Sequence, residues 1–202
     1  MSQRRIGLLG GSFDPPHLAH LALGRVAQQA LALDELRWLP AGAPWQKAGR
    51  PMTPPQHRRA MLASLLADEP AALIDDTELA HRGPTYTIET VRTLQAAAPG
   101  AQWFLIIGQD QYARFDTWRD WPELLQRVTL AVAARAGQAP TPPAALAGHP
   151  HRVVVLAMPR LDIAASDIRA RARQGLGITD LVGDAVARYI ERHRLYTAQP
   201  GI

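Results

Sequence analysis

His17 and His20 stand three residues apart, directly behind the segment Gly10-Gly11-Ser12-Phe13-Asp14-Pro15-Pro16. Residues 21–30 are predicted to be helical, with the two histidines on the first turn, where that spacing aims both imidazoles at one spot. Pro15 and Pro16, with fixed φ and no N–H, suit a loop that ends at the first helical position. A helix start carries unpaired N–H groups and partial positive charge, so it attracts phosphate. Ahead of the glycines, Ile6-Gly7-Leu8-Leu9 is short and apolar, as one buried parallel strand requires. Two glycines at a strand end allow a sharp turn and a close approach of ligand to the amides. Singly, a Gly-Gly pair is a turn and a histidine at a helix start is a surface residue or a cap. In this order after a strand they describe a phosphate site. The spacing is not Gly-x-Gly-x-x-Gly, and no Gly-Lys-Ser/Thr follows, so neither the dinucleotide fingerprint nor the P-loop fits.

Other residues are candidates on weaker grounds. Ser166 reads as the cap of a helix begun by Ile163-Ala164-Ala165-Ser166-Asp167-Ile168-Arg169, and with Arg169 it forms a second anion cradle, although the same pattern is common as plain structure. Lys47, the sole lysine among 22 basic residues, lies beside Trp45 and Gln46 in a loop over 41–55. That loop is placed to bind ligand or to fold Trp45 back on the core. Gly108 and Asp110 follow the apolar run Trp103-Phe104-Leu105-Ile106-Ile107, where Asp110 would bind ribose hydroxyls or a metal, or cap a helix. Thr85-Tyr86-Thr87 opens a helix running to about residue 97 and either caps it or offers hydroxyls, amides and a stacking face. Trp118 and Trp121 read as core residues unless other features recruit them. Arg135 follows a strand over 128–133. His57, Arg58 and Arg59 sit in the early turns of a helix over 55–67, the wrong end for the helix dipole. They read as a solvated face, with a mild leaning to an anion partner. A Pro- and Ala-rich stretch over 138–150 reads as a mobile surface loop, and His149 and His151 receive no role.

Composition narrows the class. The 202 residues are 47% hydrophobic, ample for a packed core, and contain no cysteine, which removes disulfides, thiolate metal sites and cysteine catalysis. No His-Glu-x-x-His pattern offers a zinc site. The first apolar run breaks at Gly10-Gly11, too early for a signal peptide, and nothing approaches a membrane span, so a cytoplasmic location is expected. The net charge is +4, but the arginines are scattered and no basic run reaches five residues, so nucleic acid is not the favoured partner.

The elements that must hold these residues alternate. Further strands are predicted at 35–40, 71–75 and 153–157, and an amphipathic helix at 184–193 closes the chain. The expectation is an α/β fold: one doubly wound, Rossmann-like parallel sheet of five to six strands with helices on both faces. Residues 1–202 then form a single domain, with a helical part over about 163–196 packed on it. Such a sheet binds ligands at its carboxyl edge, where the glycine turn and the Ser166/Arg169 helix would meet.

The motifs themselves resemble those of a known family. Gly10-Gly11-Ser12-Phe13-Asp14-Pro15-x-His17-x-x-His20 resembles the signature of nucleotidylyltransferases with the His-x-Gly-His motif, and Ile163 to Arg169 resembles their Ile-Ser-Ser-Thr-x-x-Arg motif. Pro84-Thr85-Tyr86-Thr87, Ile107-Gly108-Gln109-Asp110 and residues 115–118 are most similar to bacterial nicotinate-nucleotide adenylyltransferases. Three positions depart from the pattern. Ala19 replaces a glycine, Ala164 and Ala165 lack hydroxyls that Ser166 keeps, and Gln46-Lys47 stands for His-Lys or His-Arg.

The resemblance implies transfer of an adenylyl group from ATP to nicotinate mononucleotide, with magnesium carried on the ATP phosphates and no protein side chain as its ligand. It implies that His17, His20 and Arg169 are catalytic. Gly10, Gly11, Ser12, Phe13, Gly108, Asp110 and Ser166 would join them in binding ATP. Lys47, Tyr86, Thr87, Trp118 and Arg135 would bind the mononucleotide. Oligomeric state stays open. Rival readings keep the chemistry but change the acceptor to nicotinamide mononucleotide or phosphopantetheine, or replace the enzyme by a non-catalytic nucleotide- or RNA-binding module.

Overall fold

The computed structural model describes residues 3–44, 51–81, 83–135 and 137–197. Six strands form one parallel sheet: β1 (Arg5–Gly11), β2 (Glu35–Pro40), β3 (Ala72–Ile74), β4 (Gln102–Gly108), β5 (Thr129–Arg135) and β6 (Val153–Met158), in the order β3-β2-β1-β4-β5-β6. The order reverses between β1 and β4, so the crevice for a ligand opens at their carboxyl ends. Those ends carry Gly10-Gly11 and Gly108.

Alternation along the strands builds a core on each face of the sheet. Ile6, Leu8, Leu105, Ile107, Leu130 and Val132 point to one face, where α4 (Thr87–Ala97) and α6 (Trp121–Arg127) cover them with Ile88, Val91, Leu94, Leu124 and Leu125. Leu9, Leu36, Trp38, Phe104, Ile106 and Leu156 point to the other, beneath α1 (Leu18–Ala30) and α2 (Pro55–Leu65). Gly24 lets α1 lie directly on the Trp38 indole, since no Cβ would fit there.

A third cluster joins Met61 of α2 to Ile168 of α7 (Ala165–Arg173), Val182 of α8 (Thr179–Val182), and Val186 and Ile190 of α9 (Asp184–Arg192). Helix α2 is therefore buried on two sides, with Leu62 toward the sheet and Met61 toward the C-terminal helices. This layering carries the last helices back to the edge where the site lies.

The observed elements follow the expected alternation, with shifted ends. The first helix begins at Leu18 with His17 as its cap, and α4 begins at Thr87 with Tyr86 as its cap. The short helices α3 (Thr77–Ala80), α5 (Gln109–Tyr112) and α8, together with α6, were not anticipated because each is too brief to show a helical apolar period. The stretch over 138–150 is pinned to the rest of the fold. Leu146 is buried, and Thr141 exchanges two hydrogen bonds with the Gln109 side chain at 3.1 and 3.2 Å.

Candidate active site

Gly10 and Gly11 do not make the turn that the sequence suggested. Both remain in β1, in register with Leu39 and Pro40 of β2. The chain turns at Phe13 instead, which holds φ 47° and is buried. A left-handed conformation is costly for a residue with a Cβ, and packing must hold it. The Phe13 ring lies edge-on to His20 at 5.1 Å and near Trp38 at 5.9 Å. At Gly10 a Cβ would meet nothing within 4 Å, so that backbone faces open space, as a close ligand approach needs.

His17 caps α1 in extended backbone geometry, and its ring stacks on that of His20 with centroids 3.7 Å apart. The His17 backbone N–H donates to His20 Nδ1 at 3.2 Å. His17 is only 7% exposed, and burial lowers its pKa to about 4, so it is neutral at pH 7. Its Nδ1 is buried without a hydrogen-bond partner among the described residues. The positive potential here therefore comes from the helix start and from arginine, not from a charged His17.

Arg169, from the first turns of α7, donates through Nη1 to the Asp14 carbonyl at 2.7 Å. The sequence reading of Ser166 needs correction. Ala164 is the cap, and Ser166 is exposed within the first turn, with its hydroxyl 3.1 Å from Asp167 Oδ1. Among the described residues no side chain caps α7, which leaves its first N–H groups without a side-chain acceptor.

Arg58 is likewise not a solvated residue. It is 1% exposed and donates to three carbonyls: Thr53 at 2.9 Å, Ser12 at 2.8 Å and Ala41 at 2.7 Å. Burial lowers its pKa, and the Asp14 carboxylate opposes that shift. A planar guanidinium with five donors is the one side chain able to tie three loops together in this way. Of its neighbours, His57 lies 3.0 Å from the Tyr189 hydroxyl and Arg59 pairs with Asp76 at 2.8 Å, so each has a local partner.

The aromatic half of the site stands beyond residues 41–44. Ala41 N–H donates to Gly11 at 2.8 Å, and Thr85 N–H donates to Ala43 at 3.0 Å, so this segment runs from the end of β1 to the start of α4. Glu78 of α3 fastens it. The Glu78 carboxylate accepts from Thr90 Oγ1 at 3.1 Å and from the Gly42 N–H, and burial raises its pKa against those bonds. Tyr86 caps α4, its ring lies 4.5 Å beneath the Arg119 guanidinium, and Arg119 pairs with Glu89 at 3.2 Å. Neighbouring Trp118 is half-buried, stacks on Phe115 at 5.1 Å and packs against the core cluster of that face. Trp121 meets the His149 ring edge-on at 4.6 Å.

The structure thus gathers Gly10, Gly11, Ser12, Phe13, His17, His20 and Arg169 around one loop, and Tyr86, Thr87 and Trp118 around the start of α4. Asp110 is exposed in the first turn of α5, where Gly108 is the cap, so it does not cap that helix. Arg135 is exposed at the end of β5 and touches neither cluster by any described contact. Lys47, Trp45 and Gln46 lie outside the described residues. Among the described residues no group of three or more His, Asp or Glu side chains is arranged to hold a metal, and no helix is long and apolar enough to cross a membrane.

The residues missed in sequence share one trait: their partners are distant. Tyr196, Arg58 and Glu78 act through contacts 182, 17 and 12 positions away, which no local spacing reveals. His151 is another, with Nε2 2.9 Å from the hydroxyl of Tyr112, 39 positions away.

A family model described as Cytidylyltransferase-like matches residues 8–171, and that is the class of protein this fold and site define. The chain is 48% identical to a protein of Methylibium petroleiphilum over 98% of its own length and 95% of that protein's. It is 46% identical to one of Bordetella petrii, over 96% and 99%. Both bear the name "Probable nicotinate-nucleotide adenylyltransferase". Among solved structures it is similar in fold to the Plasmodium falciparum nicotinic acid mononucleotide adenylyltransferase complexed with NaAD, with a TM-score of 0.81 at 18% identity over 96% of this chain and 98% of that one. The chain belongs to the nicotinate-nucleotide adenylyltransferase family of cytidylyltransferase-like proteins.

Proposed function

We propose that this protein transfers an adenylyl group from ATP to nicotinate mononucleotide, giving deamido-NAD and pyrophosphate in NAD biosynthesis. The carrying observation is the stacked His17 and His20 pair at the start of a 13-residue helix, with Arg169 bound to a carbonyl of the loop leading into it. Relatives that carry the name of this activity over nearly the full length support the same reading.

The chemistry asks little of the side chains beyond placement. An oxygen of the mononucleotide phosphate attacks the α-phosphorus of ATP. A new P–O bond forms as the bond to the bridging oxygen breaks, and pyrophosphate departs with the electron pair. The nucleophile is already anionic, so no residue has to remove a proton. Charge grows on the phosphoryl oxygens and on the leaving group, and preorganised donors stabilise it there.

In this reading His17, His20 and the amides of Gly10 to Phe13 orient the reacting phosphates, while Arg169 and Ser166 hold the β- and γ-phosphates. Asp110, beside Gly108, binds ribose. Tyr86, Thr87 and Trp118 receive the nicotinate ring and its carboxylate, and Lys47 and Arg135 supply cations to the mononucleotide. Magnesium enters with ATP as part of the substrate, bound to phosphate oxygens. The reading includes one domain over residues 1–202 and a cytoplasmic location.

The test is pyrophosphate release from ATP and magnesium with nicotinate mononucleotide, nicotinamide mononucleotide and phosphopantetheine offered in parallel. Preference for the first is expected. Turnover with another acceptor only would keep the phosphate site and overturn the pocket. Binding of ATP without release from any acceptor, together with RNA affinity that falls steeply with salt, would overturn the enzyme reading.

A further inference from the structure

Asp14 is 7% exposed, and its carboxylate accepts from two donors far apart in the chain. Its Oδ1 accepts from the Tyr196 hydroxyl at 2.6 Å and its Oδ2 from the Thr53 N–H at 3.2 Å, while its backbone carbonyl is the acceptor for Arg169. Thr53 is held in turn by buried Arg58, which also binds the carbonyl of Ser12. The loop that leads into His17 is therefore fixed at Ser12 by α2 and at Asp14 by α7 and the segment after α9.

That segment reaches Asp14 by an unusual path. Arg194 and Tyr196 take φ values of 49° and 62°, a left-handed conformation that favours glycine. Two such residues within three positions turn the chain back after α9 and bring the Tyr196 ring against the cluster of Met61 and Ile168. Costly backbone conformations persist where surrounding contacts hold them, and they gather at functional sites. Burial and the neighbouring Asp14 push the Tyr196 pKa up, so its hydroxyl keeps its proton and donates.

We propose that Tyr196 is a positioning residue for phosphate handling: its hydroxyl holds Asp14, and Asp14 holds the carbonyl that aims Arg169. The proposal rests on the adenylyl-transfer reading. In it the C-terminal segment is part of the site although it touches no substrate. Asp14 acts as the junction, accepting at three oxygens from Tyr196, Thr53 and Arg169. Loss of the hydroxyl lets the carboxylate rotate, shifts the loop and leaves the Arg169 guanidinium without a fixed direction.

The experiment is Tyr196→Phe, which keeps the ring in its cluster and removes only the donor. Steady-state kinetics are run well below the melting transition, alone and combined with Arg169→Ala. Tyr196→Phe is expected to lower kcat roughly 10- to 100-fold, the scale of a small misplacement of a reacting group, and to leave KM for nicotinate mononucleotide within about twofold. In the Arg169→Ala background it should add less than about twofold, because the two residues act as one unit. A purely structural tyrosine would lower Tm and leave kcat of the folded enzyme unchanged, and that result overturns the proposal. So does a full, additive effect in the absence of Arg169. Asp14→Asn is a second variant, expected to reproduce the kcat loss and to be insensitive to Tyr196→Phe. A wild-type enzyme that releases no pyrophosphate with any acceptor overturns the activity itself, an outcome distinct from wild-type turnover with an unaffected Tyr196→Phe.

Discussion

The His17 backbone N–H donates to Nδ1 of His20, and this one bond sets the chemistry that His20 can do. A ring nitrogen that accepts carries no proton, so the remaining proton of the imidazole is on Nε2. His20 thereby keeps Nε2 as its donor, and Phe13 braces its ring from the side. Its stacked neighbour His17 is neutral, through burial. An uncharged imidazole at a helix start can donate to a phosphoryl oxygen without anchoring the product by a full ion pair.

His20→Ala is expected to lower kcat on the order of 10²-fold or more, the scale of losing one preorganised transition-state donor. KM for either substrate should change much less, since the donor matters most when charge develops. Steady-state pyrophosphate release measures both constants. A kcat within twofold of the wild type would remove His20 from the reacting centre.

His17 gives a stability signature that is independent of turnover. Its pKa falls from an ordinary 6.5 to about 4 on folding, so between these values the unfolded chain binds a proton that the folded chain does not. The stability this represents is whole above pH 6.5 and is lost as pH falls toward 4. Urea titrations at pH 7.5 and 4.5 are expected to show the wild type losing on the order of 2 kcal/mol more than His17→Asn. Equal losses in the two proteins would mean that His17 is already protonated, or equally solvated, in the fold.

How much of this was legible beforehand depends on where each residue's partners lie. His17, His20 and Gly10 could be read because a strand, a loop and a helix start are consecutive in sequence, and their meeting follows from local geometry. The six-strand alternation was readable for the same reason, since burial on both faces writes continuous apolar runs such as Trp103 to Ile107. Arg58 was misread as solvated because a basic residue in a helix's first turn is normally exposed. Its burial is decided by three carbonyls that tertiary folding brings to it. Ser166 was placed two positions too early in the helix, at the cap, because serine favours that role; the backbone gives the position to Ala164 instead. The turn at Phe13 was hidden by the adjacent glycines, which drew the bend to themselves while staying in the sheet.

Arg58 therefore carries a strong expectation for stability. Arg58→Met removes the donors to Thr53, Ser12 and Ala41 and the cation beside Asp14, from a side chain that is itself buried. Truncating one side of a buried charged network costs about 3–5 kcal/mol. For a chain of this size that corresponds to a fall in Tm on the order of 10 °C. Arg58→Lys should recover only part of it, because one ammonium cannot span three divergent carbonyls. Thermal melts of the two variants make the comparison. A Tm for Arg58→Met within 2 °C of the wild type, a margin of about 1 kcal/mol, would show that the loops do not depend on this clamp.

Trp118 tests the aromatic half of the site separately from the phosphate half. One face of its indole is taken by Phe115, and its neighbour Arg119 lies over Tyr86, so the pair closes around the start of α4. If the indole receives the nicotinate ring, its loss removes a stacking partner worth about 1 kcal/mol in an aromatic pair. Trp118→Ala is then expected to raise KM for nicotinate mononucleotide at least fivefold, with ATP affinity held within about twofold. The split is what matters. Trp118 is also packed against the core cluster of Phe115 and Leu124, so a general loosening would weaken both substrates and lower Tm together. Isothermal titration of each nucleotide, alongside the kinetics, separates the two. Weaker ATP binding with unchanged mononucleotide binding would move Trp118 out of the acceptor pocket.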